Sequence, residues 1–123
     1  MNKKILIVED DVAILGALSD KFTREKFNVF SAKDGEEGMA LALEKHPDII
    51  LLDLVMPIMD GLTMLQKLRE DKWGSNAKVI LLTNLSSNEK MSEVVKYGVN
   101  DYFIKSDWKI GDILKKVKEK LDI

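Results

Sequence analysis

Three short, unbroken apolar runs constrain this chain most: Ile5-Leu6-Ile7-Val8, Ile49-Ile50-Leu51-Leu52 and Val79-Ile80-Leu81-Leu82. Such runs suit strands buried on both faces, as in a parallel sheet covered by helices. Phe27–Ser31 and Asp101–Ile104 are shorter and more mixed, as edge strands are. Helical periods lie between them. Ile14, Leu15, Leu18 and Phe22 share one face, as do Leu62, Leu65 and Leu68, and the clearest stripe is Ile110, Ile113, Leu114, Val117 and Leu121. Met39, Leu41 and Ala42 fall in a second helix, and Met91, Val94 and Val95 in a fourth. Asp34-Gly35, Asp60-Gly61, Gly74-Ser75-Asn76, Ser86-Ser87-Asn88 and Gly98 punctuate the elements. Alternating strand–helix units of this length predict an α/β fold with right-handed crossovers. The natural solution is a doubly wound, five-stranded parallel sheet of order 2-1-3-4-5 with five helices.

A length of 123 residues is enough for one domain with a real core, and residues 1–123 are expected to form a single unit. Apolar residues make up 46% and charged residues 33%, which suits a soluble globular chain rather than a disordered one. The formal charge of −2 offers no broad basic field, so direct nucleic-acid binding is not expected. With no cysteine, disulfides and thiolate metal sites are excluded. No apolar stretch approaches a membrane span, and Met1-Asn2-Lys3-Lys4 leads into a strand rather than a signal peptide. A cytoplasmic protein is expected.

The chemistry gathers where the strands end. Glu9, Asp10 and Asp11 follow the first run and Asp53 follows Leu52, while Thr83 and Lys105 end two later runs. In open α/β sheets ligands bind beyond the carboxyl ends of the strands. With the predicted sheet order the first and third strands are neighbours, which sets Glu9 and Asp10 beside Asp53. Clustered carboxylates repel one another unless a cation joins them. Oxygen donors without Cys or His favour a hard ion, and Mg²⁺ takes one or two carboxylates while keeping waters. Lys105 adds a fixed positive charge and Thr83 a hydroxyl donor. Together these groups describe phosphoryl transfer, in which an Asp carboxylate can itself be the nucleophile.

Val8-Glu9-Asp10-Asp11, Leu51-Leu52-Asp53-Leu54-Val55-Met56-Pro57, Asp60-Gly61, Leu82-Thr83 and Asp101-Tyr102-Phe103-Ile104-Lys105 occur in a joint order and spacing. On these residues the chain resembles, from Lys4 to about Leu121, the receiver domain of the two-component response regulators. The resemblance implies a flavodoxin-like fold and a phosphorylation-activated switch rather than an enzyme, catalytic only in its own phosphorylation and dephosphorylation. Asp53 matches the phospho-acceptor, and Asp10 matches the direct Mg²⁺ ligand. Glu9 matches the companion acid, and the Val55 carbonyl would complete the protein ligands. Lys105 would pair with Asp53 and then with the phosphoryl oxygens. Thr83 and Tyr102 match the switch pair, the aromatic turning inward as the hydroxyl moves. Gly61 matches the glycine of the close turn after Asp53, and Asp11 is expected at a helix start or in solvent.

The implied partners are a sensor histidine kinase or histidine phosphotransfer protein, and a downstream protein or attached effector. The output surface would be the fourth helix, fifth strand and fifth helix of a monomer or weak phosphorylation-dependent homodimer. Glu89, Glu93, Lys96 and Asp101 are candidate dimer contacts.

The pattern is departed from at Ser106, where the family usually carries Pro after the Lys, often in a cis bond. Without proline a cis bond costs roughly 2.5–4 kcal/mol, so both isomers stay open. Val55 and Leu85 stand two residues after Asp53 and Thr83, where apolar side chains cannot orient a hydrolytic water. A long-lived aspartyl phosphate is expected. Two other functions compete: a Mg²⁺-dependent Asp-nucleophile phosphohydrolase, which lacks a second Asp at position 55, and a phosphorylation-independent binding module. His46 is expected to be an exposed turn residue. The C-terminal lysines are expected to form a solvated face, with Trp73 and Trp108 open as partner anchors or core-edge residues.

Overall fold

The computed structural model describes residues 2–84, 88–105 and 107–123, with side chains of 88–91 excepted. Its elements run β1 (Lys4–Val8), α1 (Val12–Arg24), β2 (Asn28–Ala32), α2 (Gly35–Lys45), β3 (Ile49–Asp53), α3 (Gly61–Glu70), a 3₁₀ turn (Gly74–Asn76), β4 (Val79–Thr83), α4 (Asn88–Lys96), β5 (Tyr102–Ile104) and α5 (Ile110–Leu121). The sheet is parallel, with order β2-β1-β3-β4-β5. This is the predicted doubly wound fold. The edge strands are displaced slightly: β2 starts one residue later than expected and takes in Ala32, and β5 begins at Tyr102. Gly74-Ser75-Asn76 coils into a 3₁₀ turn instead of a plain loop.

The unbroken apolar runs are explained by two separate cores. Successive strand side chains point to opposite faces. Ile5, Ile7, Ile49, Leu51, Ile80 and Leu82 pack with Leu15, Leu18 and Phe22 of α1 and Ile113, Val117 and Leu121 of α5. Leu6, Val8, Ile50, Leu52 and Leu81 pack with Ala42 of α2, Met64, Leu65 and Leu68 of α3, and Val94 of α4. Both faces of β1, β3 and β4 are thereby dry, and no polar alternation is called for. Ile110 and Leu114 of the α5 stripe are half-buried at the margin of the first of these cores.

Three helices start on aspartates at the carboxyl edge of the sheet. Asp11 accepts from the Ala13 and Ile14 amides, Asp34 from Glu37 N–H and Asp60 from Thr63 N–H. Each satisfies backbone donors that the first helical turn leaves without partners. Asp11 is therefore at a helix start, as expected. Gly61 opens α3 so close to β3 that a Cβ there would collide with the Asp53 carbonyl, while its own N–H bonds Leu54 O at 2.8 Å.

His46 is exposed but not featureless. It ends α2 in a left-handed conformation and stacks on Trp73, with ring centroids 4.4 Å apart. Trp73 and Trp108 are half-buried against the two cores. Of the C-terminal lysines, Lys118 pairs with Glu25, and Lys116 and Lys120 pair with Asp101. Asp101 is thus engaged within the chain. The side chain of Glu89 lies outside the described residues, as do Leu85 and the Lys105–Ser106 bond.

Candidate functional site

β1 and β3 are hydrogen-bonded neighbours, with Val8 opposite Leu52, so their exits lie side by side. Glu9 is fully buried there and its N–H bonds Ala32 O, which anchors the turn between β1 and α1. Asp53, the last residue of β3, is 3% exposed, and Asp10 projects into solvent. One carboxylate oxygen from each of Glu9, Asp10 and Asp53 lies within 4.8 Å of the others.

Lys105 enters from the far side of β4. Its N–H bonds Thr83 O at 2.7 Å, which fixes the chain as it leaves β5. Its ammonium, almost completely buried, stands 2.5 Å from Glu9 Oε1 and 3.0 Å from Asp53 Oδ2. The second Asp53 oxygen accepts from Val55 N–H at 3.3 Å, and Glu9 Oε2 accepts from Asp11 N–H at 3.1 Å. Glu9 Oε1 has no partner among the described residues except that ammonium. Sharing of Lys105 between two acids was not evident in the sequence, which pointed only to Asp53. A signal did exist: an acid next to a strand end, with its neighbour Asp11 capping a helix, leaves Glu9 directed inward.

The electrostatics follow from this packing. Burial, reinforced by the Glu9 charge and opposed by Lys105, pushes Asp53 from 3.8 up to about 7. Burial also works against the Lys105 charge, but its bonds to Glu9 and Asp53 outweigh that and hold it above its ordinary value. Three carboxylates against one ammonium leave excess negative charge in a confined place. Oxygen donors of this number, one of them buried with a single cationic partner, fit a hard divalent ion, and Glu9, Asp10 and Asp53 could hold it.

An open cleft of about 440 Å³ gives access, lined by Asp10, Asp53, Lys105, Val55, Asn84 and Ile14. Ile14, assigned from its period to the core stripe, is half-buried and faces this opening. Thr83 is fully buried at the end of β4, one residue past the Asp53–Leu82 pair. Tyr102 stands apart. It is half exposed and lines a separate groove with Trp108 and Phe103. The fold therefore assembles Glu9, Asp10, Asp53 and Lys105, sets Thr83 on the same edge and Val55 on the rim, and leaves Tyr102 outside.

Comparison with known proteins bears on the family and the fold. The family model of the response regulator receiver domain matches residues 5–118. The DNA-binding dual master transcriptional regulator RpaA of Synechocystis is 35% identical over 115 residues, which are 94% of this chain and 47% of that protein. The response regulator PleD of Caulobacter vibrioides is 37% identical over 105 residues, 85% of this chain and 23% of that protein. The chain thus spans less than half the length of these relatives. Among solved structures, a CheY-like receiver domain protein from Methanospirillum hungatei superposes with a TM-score of 0.91 at 32% identity, covering 99% of this chain and 95% of that one. A chain of the CheX–CheY–BeF3–Mg²⁺ complex of Borrelia burgdorferi gives 0.86 at 30%, covering 97% and 89%. With the sheet order, the acidic edge and these matches in accord, the chain belongs to the response regulator receiver domain family.

Proposed function

We propose that Asp53 is the phospho-acceptor of this receiver domain, taking a phosphoryl group from a phosphohistidine on a sensor kinase or histidine phosphotransfer protein. The observation that carries the proposal is Lys105, held within ion-pair distance of Asp53 at the floor of an open acidic cleft. An Asp53 oxygen forms the new bond to phosphorus as the phosphorus–nitrogen bond to the histidine breaks. Lys105 stays beside the acceptor and meets charge on the phosphoryl oxygens. Glu9, Asp10, Asp53 and the Val55 carbonyl are the proposed Mg²⁺ ligands. Mg²⁺, when bound, supplies charge neutralisation and favours the ionised Asp53 that burial otherwise disfavours.

The product adds charge and acceptor oxygens at one point. Thr83, at the end of β4 on the same edge, is the proposed hydroxyl donor to them, and Tyr102, outside the core here, is the proposed reporter that turns inward. The α4–β5–α5 surface is then the output, biased between two states. The output is a downstream protein or an attached effector, with residues 1–123 as one receiver unit acting in the cytoplasm.

Intact-mass spectrometry after incubation with Mg²⁺ and a small phosphodonor tests this. One added phosphoryl group on the wild type, absent from Asp53→Asn and lost without Mg²⁺, is expected. An unmodified wild type, or an equally modified variant, overturns it.

A further inference from the structure

At the opposite edge of the sheet, where β4 begins, a second open cleft of about 520 Å³ lies among the ends of α3, α4 and α5 and the 3₁₀ turn. Arg69, Lys78, Lys96 and Lys120 line it, and among the described residues no carboxylate does. Lysines in the last turn of a helix are ordinary, since they face the negative end of the helix dipole. Lys96 and Lys120 stand in such turns. Lys78 does not, because it lies in the chain entering β4.

Arg69, although near the end of α3, does not serve its own helix. Its Nε donates to Tyr97 O at 2.7 Å, and its Nη1 donates to Gly74 O and Ala77 O, each at 2.8 Å. These bonds tie three segments together and fix the guanidinium plane. They leave Nη2 without a partner among the described residues. Burial lowers the Arg69 pKa, and no counter-charge among the described residues offsets it. Lys78 Nζ meets a backbone carbonyl, Lys120 O, at 2.8 Å. Among the described residues the one carboxylate within ion-pair distance of these four cations is Asp101, on Lys120. Three cations therefore share one concavity with no carboxylate partner among the described residues, met only by backbone carbonyls and the partial negative charge of the helix ends.

We propose that this cleft binds a small polyphosphate-bearing anion, with the Arg69 Nη2 edge and the Lys78 and Lys96 ammoniums as its phosphate ligands. A preorganised guanidinium flanked by ammoniums on exposed side chains suits several phosphate oxygens at once. The volume is in the range of small-molecule sites and exceeds the need of a single inorganic phosphate. Ser75 and Asn76, also on the lining, add neutral donors. The site lies at the start of β4 and the acidic cleft at its end, so both can be filled together.

Calorimetric titration of the full chain, in EDTA and low salt, with pyrophosphate, ATP and citrate tests the proposal. Pyrophosphate and ATP are expected to bind with a Kd of about 1 mM or tighter. The double variant Lys78→Ala/Lys96→Ala, both exposed positions, should bind them about tenfold more weakly with an unchanged circular dichroism spectrum. Asp53→Asn should bind as the wild type does. The proposal is overturned by no saturable binding up to about 10 mM, by equal affinity in the double variant, by lost binding in Asp53→Asn, or by citrate binding as tightly as pyrophosphate.

Discussion

Asp53→Asn should stabilise the metal-free protein above neutral pH. In the native state the Asp53 carboxyl is pushed from 3.8 to about 7, chiefly by burial. Between those values the folded protein holds a proton that the unfolded chain has released. Stability from this group therefore falls as pH rises through that window, and the cost is complete above about pH 7. At about 1.4 kcal/mol per tenfold, the cost of ionised Asp53 is about 4–5 kcal/mol. Asparagine keeps the shape and removes the charge, and because the raised value already balances the Lys105 attraction against burial, loss of that pair adds no separate cost. The net gain is about 4 kcal/mol at pH 8, falls to about 1–2 kcal/mol at pH 5, and vanishes below about pH 4, where the unfolded chain is protonated as well. Urea unfolding in EDTA, followed at pH 5, 6.5 and 8, measures it. Mg²⁺ should narrow the gap by stabilising the wild type. An advantage independent of pH, or a variant less stable at pH 8, refutes the reasoning.

Val55→Asn should shorten the half-life of the aspartyl phosphate by about tenfold, the worth of one hydrogen bond of about 1.4 kcal/mol to an attacking water. Decay of the phosphorylated mass peak measures it, and an unchanged half-life contradicts the role given to that position. Gly61→Ala should destabilise the fold by about 2–3 kcal/mol, because the new methyl meets the Asp53 backbone rather than a movable side chain. A urea midpoint within error of the wild type would show that α3 can withdraw at little cost.

The fold was legible because its strongest signal is also its cause. Ile49 through Leu52 is apolar at every position since both faces of β3 are covered, and the acid that follows marks where the cover ends. The edge strands were less legible. β2 mixes exposed, half-buried and buried positions without alternation, so its bounds rest on pairing with β1 that no local pattern encodes. In the site, chain order shows which residues reach the carboxyl edge but not how one cation is divided between Glu9 and Asp53. That division depends on Lys105 passing over the end of β4, a three-dimensional fact. Arg69 had no signal at all: it sits in a charged stretch at the end of α3, and its partners are carbonyls up to 28 residues away.

The helix-starting aspartates make two populations of acid on one edge. Asp11, Asp34 and Asp60 give their oxygens to backbone amides, a service that Ser or Asn performs nearly as well. Exchange there should be cheap, and variation among such domains at these positions carries no message about chemistry. Glu9, Asp10 and Asp53 are a different kind of residue, since their value lies in charge held together against repulsion. A census of acidic residues along this edge therefore overstates its charge available to a ligand, and half of those six side chains are architecture.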